Sequence, residues 1–314
     1  MSSSDIVKVK APCSSANLGS GFDVFGLALD AFHDVLTVER AEKGVSIEVK
    51  GQDSQMIPSD PMKNTAGVVA REMLKGREDG VKIILEKGVP PKKGLGSSGA
   101  SAAAAAVAIN YLFDMKLAPE DLVKLASKGE MVSAGSSHAD NVAASILGGF
   151  TMVYMWNDEL KVVRLEPPPN LEVVLAMPRI EAPEMKTAIA RSILPKTVPL
   201  ENVVSNVRNA CLVVAGFHFG DIHMIGKGMN DTIVEPARMN LIPNYKAVRR
   251  AAVEAGAAGV AISGAGPTVI AIMDKTKVLA KEVAKAMEDA FLEAGIECET
   301  VSCKASLEGT TRIS

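Results

Sequence analysis

The segment that most constrains this chain is Pro90–Ser101, which reads PPKKGLGSSGAS and separates an apolar run from an alanine-rich one. The run before it, Val81–Glu86 (VKIILE), is typical of a buried strand, and the run after it, Ala102–Ala108, has strong helix propensity. Three glycines lie in this predicted strand-to-helix junction: Gly94, Gly96 and Gly99. Because glycine adopts positive φ and has no side chain, the backbone here can approach a ligand closely.

The same junction predicts an anion site. The first turn of a helix has unpaired N–H groups and a partial positive charge, which together attract phosphate. Ser97, Ser98 and Ser101 add hydroxyl groups, and Lys92 and Lys93 add positive charge just before them. A bound phosphate is consistent with all of these features.

Three well-known glycine motifs fit this segment poorly. An ordinary glycine-rich loop before a helix, with no ligand, is the alternative interpretation. The spacing from Gly94 to Gly99 matches GxGxxG, but a dinucleotide site needs a tight turn and an acid after a second strand, and Asp114 follows a helix. A Walker A loop needs Lys and then Ser or Thr after its last glycine. A hydrolase elbow around Ser98 needs glycine where Ala100 stands.

Composition restricts the function classes. The chain has 314 residues, a net charge of -3 and a pI near 5.9, which argues against a nucleic-acid surface. It has no apolar run of about 18 residues and no apolar signal core at its start, so we expect a cytoplasmic protein without a membrane partner. The four cysteines are scattered without a CxxC pair, which predicts neither a disulfide framework nor a zinc site.

Two further segments rich in small residues are candidate ligand loops. Ala11–Asp23 (APCSSANLGSGFD) has Asn17 and Asp23 as its hydrogen-bonding groups. Ser263–Thr268 (SGAGPT) divides two apolar runs. An ordinary turn is the alternative for each segment.

Acidic and polar candidates lie between these loops. Glu130 is near the end of the predicted helix Pro119–Val132, where a carboxylate opposes the helix dipole, so it is a candidate magnesium ligand. The segment GSSHADN that follows concentrates three polar side chains: His138, Asp140 and Asn141. A structural hydrogen-bonding role is the alternative for the histidine.

Hydrophobic periodicity predicts strands and helices in two parts. Val35–Arg40 and Val45–Lys50 are predicted to be two antiparallel strands around a turn. Three prolines within Glu166–Asn170 mark the best boundary, so we predict two domains, 1–167 and 168–314.

Three segments occur in a fixed order: SSANLGSGFD at 14–23, PPKKGLGSSGAS at 90–101 and SGAGPT at 263–268. In this order they resemble the segments of the GHMP small-molecule kinases, and the resemblance spans essentially the whole chain. HADN at 138–141, KTAIAR at 186–191 and IVEPAR at 233–238 are most similar to the members of that family that act on L-homoserine.

The resemblance implies a magnesium-dependent transfer of the γ-phosphoryl group of ATP to the side-chain hydroxyl of L-homoserine, on the route to threonine. It implies a two-domain α+β fold. Residues 1–167 would be the ATP-binding, ribosomal-protein-S5-domain-2-like domain with a left-handed βαβ unit, against the usual right-handed rule. Residues 168–314 would be a ferredoxin-like domain, and a homodimer is expected.

The resemblance also implies roles in the ATP site. Ser98 and Glu130 would hold magnesium, and Asn64 would contact the adenine side. The segment 91–101, hereafter the phosphate loop, would bind the phosphates through Pro91, Lys92, Lys93, Gly94, Leu95, Gly96, Ser97, Ser98, Gly99, Ala100 and Ser101.

Homoserine is a zwitterion, so its pocket needs cations and an acid. Arg191 and Arg238 would bind the carboxylate, since a guanidinium can donate two parallel hydrogen bonds to it. Asp23 would bind the ammonium group. The resemblance completes the pocket with Asn17, His138, Asn141, Thr187 and Gly264.

The residue that removes the hydroxyl proton is left open between two routes. Asp140 could act as a base, as an aspartate does in some members of the family. If Asn141 faces the hydroxyl instead, it cannot take a proton near neutral pH, and the proton would pass directly to the phosphate. We prefer this second, base-free route.

Three rival functions remain at this stage. The nearest is another kinase of the same family that acts on mevalonate, a sugar or shikimate, none of which has an α-ammonium group. A non-catalytic ligand sensor is the second, although the pair Ser98 and Glu130 argues against it. A nicotinamide-dependent dehydrogenase is a distant third.

Overall fold

The computed structural model describes residues 5–51, 53–134, 139–181 and 186–314 and has an α+β architecture. Its strands are β1 (Ile6–Ala16), β2 (Phe25–Ala41), β3 (Gly44–Gly51), β4 (Gly80–Lys87), β5 (Phe150–Trp156), β6 (Glu159–Leu165), β7 (Leu171–Pro178), β8 (Gly259–Ile262), β9 (Val269–Asp274), β10 (Cys298–Lys304) and β11 (Thr311–Arg312). Its helices are α1 (Thr65–Met73), α2 (Ser97–Leu112), α3 (Pro119–Ala134), α4 (Ala139–Leu147), α5 (Lys186–Ser192), α6 (Leu200–Phe219), α7 (Ile222–Gly228), α8 (Val234–Arg238), α9 (Tyr245–Glu254) and α10 (Ala280–Leu292). Short 3-10 turns are Ser54–Met56 and Met239–Leu241. None of the helices described is both long and apolar enough to cross a membrane.

The first sheet is organised around β2, which has 17 residues and pairs with three other strands. It pairs antiparallel with β1 along most of its length, with β4 near its end and with β5 at its start. Strand β6 extends the sheet from β5, and β11 brings the end of the chain back to β1. The long central strand therefore connects all parts of this sheet.

The predicted hairpin between Val35–Arg40 and Val45–Lys50 is wrong, although both segments are strands. Strand β4 lies between them, because Ile83 is paired with Val38 on one side and with Ile47 on the other. Val81, Ile83 and Leu85 of β4 are fully buried, whereas β3 alternates exposed and half-buried residues along most of its length. A buried strand suits the interior of a sheet and a polar one suits its edge.

The connection β3–α1–β4 is the parallel βαβ unit of this half. Parallel strands cannot be joined by a tight turn, so a helix has to cross from the end of one to the start of the other. The left-handed sense of this crossover stays a prediction.

The second sheet confirms the expected ferredoxin-like arrangement. Its four strands are antiparallel and lie in the order β10-β7-β9-β8. In chain order this is fourth, first, third and second, with helices after the first and third strands, as in a βαββαβ fold.

Helix α2 is the centre of the first half. All residues from Gly99 to Ile109 are buried, and the helix packs against β1, β2, α1, α3 and α4. A helix that is apolar on every side belongs in the interior, and small alanine side chains let its neighbours pack closely. The start of α2, where the phosphate loop ends, is therefore held by a rigid core.

Aromatic rings connect the two halves of the chain. Phe150 in β5 stacks on Phe217 in α6 with ring centroids 4.0 Å apart, and Phe25 packs edge-on against Phe150 at 5.1 Å. The contact between Phe150 and Phe217 crosses the division predicted at 167/168, which itself stays a prediction. The two halves are thus packed together.

Candidate active site

Three glycine- and serine-rich segments that are far apart in the sequence meet at one place. The backbone N–H of Ser14 donates to Leu95 O at 3.1 Å, which joins the end of β1 to the phosphate loop. The hydroxyl of Ser263 lies 2.7 Å from Gly94 O and 2.9 Å from Ser15 Oγ. The turn between β8 and β9 therefore contacts both other segments.

Two further hydrogen bonds close this junction. The side-chain amide of Asn17 donates to Gly264 O at 3.1 Å, and the backbone N–H of Thr268 donates to Lys93 O at 3.2 Å. All three segments that carried the family resemblance are thus connected directly.

Gly94 lies where the phosphate loop comes closest to the second half. Its φ is +82°, and a Cβ atom built on it would lie 2.4 Å from Ser263 O and 2.6 Å from Gly266 O. Glycine is required here both for the left-handed backbone and for the close approach. Any larger residue would push the two halves apart.

The predicted strand-to-helix junction is confirmed, since β4 ends at Lys87 and α2 begins at Ser97. Gly96 precedes α2 with a φ of +64° and provides no side-chain cap. Its missing side chain also leaves room for Ser14 Oγ, which would be 2.2 Å from a Cβ atom. The N–H groups of the first turn of α2 are thus left for a ligand.

A buried ion pair stabilises the phosphate loop through hydrogen bonds to it. The side chains of Lys87 and Asp34 are 1% and 0% exposed and contact each other directly. The ammonium group of Lys87 also donates to Ser97 O at 2.9 Å and to Ser101 Oγ at 3.0 Å. Asp34 accepts from two backbone N–H groups just after β4, at 3.0 and 3.1 Å.

Sequence analysis missed this ion pair. The available signals were a lysine directly after the apolar run of β4 and an acid within the strand β2. Neither residue is unusual by itself. Only the contact between Lys87 and Asp34 shows that the two residues hold the phosphate loop in place.

A cavity of about 690 Å³ connects these segments, within the size range of small-molecule sites. Gly96 and Arg238, from opposite halves of the chain, both line it. The other predicted site residues on its wall are Asn17, Asp23, Asn64, Pro91, Lys92, Gly94, Ser97, Ser98, Ser101, Glu130, Asp140, Asn141, Thr187 and Gly264. The structure therefore brings most of the predicted site together.

Several residues of the phosphate loop use their side chains for packing. The ammonium group of Lys93 donates to Pro178 O at 3.0 Å, away from the cavity wall. Leu95, Gly99 and Ala100 are buried in the core around α2. What these four offer a ligand is backbone, and their side chains hold the loop in place.

Asn64 has a structural task in addition to its place on the cavity wall. Its side chain accepts hydrogen bonds from Ala66 N at 2.9 Å and Gly67 N at 3.4 Å, which caps α1, and it donates to Pro58 O at 2.7 Å. The predicted adenine contact would have to share this side chain. His138 lies outside the described residues.

Two buried carboxyl groups lie on one side of the cavity. Burial raises the pKa of Glu130 to about 7, although a hydrogen bond with Ser98 lowers it. Burial also raises the pKa of Asp140 to about 7, against the hydrogen bond from the backbone N–H of Asn141 at 2.7 Å. The charge of Asp140 further raises the pKa of Glu130, and the charge of Asp23 further raises that of Asp140.

Glu130 and Ser98 fit a magnesium site. A buried carboxylate whose ionised form is disfavoured gains stability from a divalent cation beside it. Within the described chain there is no cluster of three or more His, Cys, Asp or Glu side chains that could hold a metal alone. Magnesium in nucleotide sites needs only one or two protein oxygens, because phosphates and water complete its shell.

Of the two arginines predicted to bind the carboxylate, Arg238 lines the cavity, whereas Arg191 is not on its wall. Arg191 forms a two-pronged ion pair with Asp23, with both N···O distances 2.9 Å. The guanidinium carbons of Arg191 and Arg238 lie 5.4 and 5.0 Å from the centre of the Phe22 ring. Asp23 and Arg191, which were predicted to bind opposite ends of a zwitterion, are therefore paired with each other in the structure.

Arg238 is held rigidly by its surroundings. It is 4% exposed, and it donates to Ala190 O and to Gly264 O, both at 3.1 Å. Burial lowers its pKa. Asp231 accepts from the backbone N–H of Glu235 at 2.7 Å and so fixes the start of α8, which carries Arg238.

Asn141 is also fixed in position. Its side-chain oxygen accepts from Ser14 Oγ at 3.0 Å, next to Gly96. The side chain of Asn141 thus connects α4 to the phosphate loop and to the end of β1.

Comparison with known sequences agrees with this geometry. The family model for GHMP kinases N terminal domain matches residues 62–149, and the one for GHMP kinases C terminal matches residues 208–293. The homoserine kinase of Haloarcula marismortui is 45% identical over 292 residues, which cover 93% of this chain and 95% of that protein. The homoserine kinase of Methanocella arvoryzae is 46% identical over 300 residues, 95% of each chain.

Comparison with solved structures gives the same grouping. A homoserine kinase from Cytophaga hutchinsonii matches with a TM-score of 0.91 and 38% identity, covering 100% of this chain and 99% of that one. An L. major mevalonate kinase in complex with R-mevalonate matches with a TM-score of 0.68 and 17% identity over 96% of both chains. The second match shows likeness of fold alone.

Substitution of Gly94 tests the close approach of the two halves. We expect Gly94→Ala to lower the free energy of unfolding by about 3 kcal/mol, because of both backbone strain and overlap with Ser263 and Gly266. Gly76 is a matched control, since its φ is +81° and its surroundings are open. Gly76→Ala should cost only about 1 kcal/mol in the same urea titration. Equal losses of stability for the two variants would contradict the close contact of Gly94 with Ser263 and Gly266.

The buried acid Glu130 makes stability depend on pH. Burial raises its pKa from 4.5 to about 7, so the folded state binds the proton more tightly than the unfolded state does. The free energy of unfolding therefore falls as pH rises from about 4.5 to about 7 and stays low above that range. Glu130→Gln should therefore be more stable than the wild type by about 3 kcal/mol at pH 8, and similar to it near pH 4. Thermal unfolding across this range measures the difference. The exposed Glu293→Gln serves as control, and an equal gain there would refute the explanation.

Proposed function

The chain belongs to the GHMP kinase family, and we propose from this that it phosphorylates the side-chain hydroxyl of L-homoserine with ATP to give O-phospho-L-homoserine for threonine biosynthesis. The observation that carries the proposal is the shared cavity. The phosphate loop, at Gly96, and the buried guanidinium of Arg238 face it from the two halves of the chain. A nucleotide and an amino acid can therefore meet there.

We infer that the first turn of α2 and the phosphate loop bind the triphosphate. Phosphoryl transfer depends mainly on positioning and on neutralising charge. The ion pair of Lys87 and Asp34 holds the loop before ATP arrives, so little reorganisation is needed. Ser98 and Glu130 would hold magnesium, which supplies positive charge beside the phosphates.

We infer that Asp23, Arg191 and Arg238 recognise the ends of the amino acid. In the ligand-free chain Asp23 and Arg191 neutralise each other. A zwitterion can replace this ion pair without leaving either charge unpaired, because its ammonium group pairs with the acid and its carboxylate with the guanidinium. A ligand with a carboxylate alone would leave Asp23 without a partner, which disfavours mevalonate and shikimate.

We propose the base-free route for the hydroxyl proton. The oxygen of the hydroxyl forms a bond to the γ-phosphorus, the bond from that phosphorus to the bridging oxygen of ADP breaks, and the proton passes to a phosphate oxygen. Asn141 cannot accept it. Burial raises the pKa of Asp140 to about 7, so about half of its carboxyl groups are already protonated at neutral pH and cannot accept the proton.

We also propose separate roles for the two predicted domains. Residues 1–167 would bind ATP and residues 168–314 would complete the acceptor site.

We further propose a homodimer in the cytoplasm. The homodimer is supported by the apolar side chains of Leu200, Val204 and Val207, which are 77%, 58% and 58% exposed along α6. The cytoplasm is the proposed location, with no nucleic-acid partner, and light scattering of the purified chain tests the dimer.

A panel of acceptors tests the proposed reaction. ADP formation would be measured with ATP, magnesium and one of L-homoserine, mevalonate, a sugar or shikimate. We expect turnover with homoserine to exceed that with the other alcohols by at least about a hundredfold, because only homoserine satisfies both Asp23 and the arginines. Binding of homoserine without ADP formation would favour a ligand sensor.

Removing one guanidinium tests the acceptor pocket. Arg191→Ala should raise the KM for homoserine by about 10- to 100-fold and the KM for ATP by less than about threefold, since it removes a charge-assisted pair to the carboxylate. Arg250→Ala is the control, because Arg250 is exposed on α9. Equal effects on both substrates would place Arg191 outside the acceptor pocket.

Substitution of Asp140 separates the two proton routes. Asp140→Asn resembles the protonated carboxyl group that burial favours, so we expect kcat within about tenfold of the wild type and an unchanged homoserine KM. Steady-state kinetics at pH 6, where the carboxyl group of Asp140 is mostly protonated, measures both. A loss of about a thousandfold in kcat at constant KM would instead identify Asp140 as the base.

A further inference from the structure

Lys186 lies at the contact between the phosphate loop and the second half of the chain. It is the first residue of α5, and its side chain lines the cavity. Its ammonium group donates to Lys92 O at 2.8 Å and also to Gly266 O. The first carbonyl belongs to the phosphate loop and the second to the turn Ser263–Thr268. One cation therefore bonds to both segments near the place where they contact each other.

The surroundings of Lys186 are positively charged. The charged groups that act on it most strongly are Lys93, Arg238 and Lys92, and all three are cations. Burial, together with this repulsion, lowers the pKa of Lys186 to about 7. Because the strongest charges acting on Lys186 have its own sign, its charged form is disfavoured, and an anion placed beside it would stabilise that form.

We propose that Lys186 binds the γ-phosphoryl group during its transfer from ATP to the acceptor. The proposal rests on the proposed function, because it assumes that ATP and an alcohol share this cavity. Lys186 forms and breaks no covalent bond. Its ammonium group neutralises charge on the phosphoryl oxygens while the bond to ADP breaks and the bond to the acceptor oxygen forms.

The position of Lys186 favours the transferred group over other anions. The α- and β-phosphates belong with the start of α2, and the carboxylate of the amino acid belongs with Arg191 and Arg238. The group that passes from one segment to the other is the γ-phosphoryl group. Because Lys186 contacts a carbonyl of each segment, it can follow that group with a small movement of its flexible side chain.

Proton uptake on nucleotide binding tests the proposal without any variant. Because its pKa is lowered to about 7, the side chain of Lys186 is mostly a neutral amine at pH 8. A phosphate bound beside it would raise this pKa, and the amine would take up a proton. Calorimetric titration with magnesium and β,γ-methylene-ATP, in two buffers of different ionisation enthalpy, should show uptake of close to one proton. ADP should show much less, and the difference should shrink at pH 6. Equal uptake for the two nucleotides would overturn the proposal.

Variants separate this role from a structural one. Lys186→Met should abolish the extra proton uptake and lower kcat by about a hundredfold or more, with the homoserine KM changed less than about threefold. Lys186→Arg keeps the charge, so its kcat should be at least about tenfold higher than that of Lys186→Met. Lys246→Met, at an exposed position on α9, should match the wild type in both measurements.

The outcomes distinguish this proposal from the proposed function. If the wild type phosphorylates homoserine and Lys186→Met keeps its kcat and its proton uptake, Lys186 only joins the two segments. If the wild type forms no ADP with any of the alcohols tested, the proposed function fails while the calorimetric result still decides whether Lys186 meets the γ-phosphate.

Discussion

The site depends on the contact between Gly94 in the phosphate loop and Ser263 in the turn between β8 and β9. The hydroxyl of Ser263 bonds to Gly94 O, and the distance leaves no room for a side chain on the glycine. This contact brings the start of α2, which is fixed in the core of the first half, opposite Arg238, which is fixed by α8 in the second. The proposed phosphate site and the proposed carboxylate site are thereby held at a fixed separation, which is what a transfer between two bound ligands requires.

The cavity also concentrates charges that the chain compensates poorly by itself. Burial raises the pKa of Glu130 and of Asp140 to about 7, and burial with cationic neighbours lowers that of Lys186 to about 7. Such groups are costly in the empty protein and favourable once ligands of opposite charge arrive. The pair of Arg191 and Asp23 is the exception, because its two charges satisfy each other.

Prediction from the sequence succeeded where short-range pattern was sufficient and failed where pairing was needed. The strand before the phosphate loop and the helix after it were correct because apolar runs and alanine propensity are local properties. The hairpin of β2 and β3 was wrong, since periodicity identifies a strand but not its neighbour. Lys93 was predicted beside the phosphates, yet its side chain bonds to Pro178 O, because the direction of a long side chain depends on what packs around it.

The sequence alone determined the elements, the glycines that permit close approach and the kinds of side chain available for a phosphate and for a zwitterion. Only the tertiary structure placed β4 between β2 and β3, joined Lys87 to Asp34 across 53 residues, and put Lys186 on the phosphate loop. The physical reason is that these arrangements are decided by burial and hydrogen bonding between distant residues. Local periodicity and propensity record which face of an element is apolar, and they do not record which distant element covers it.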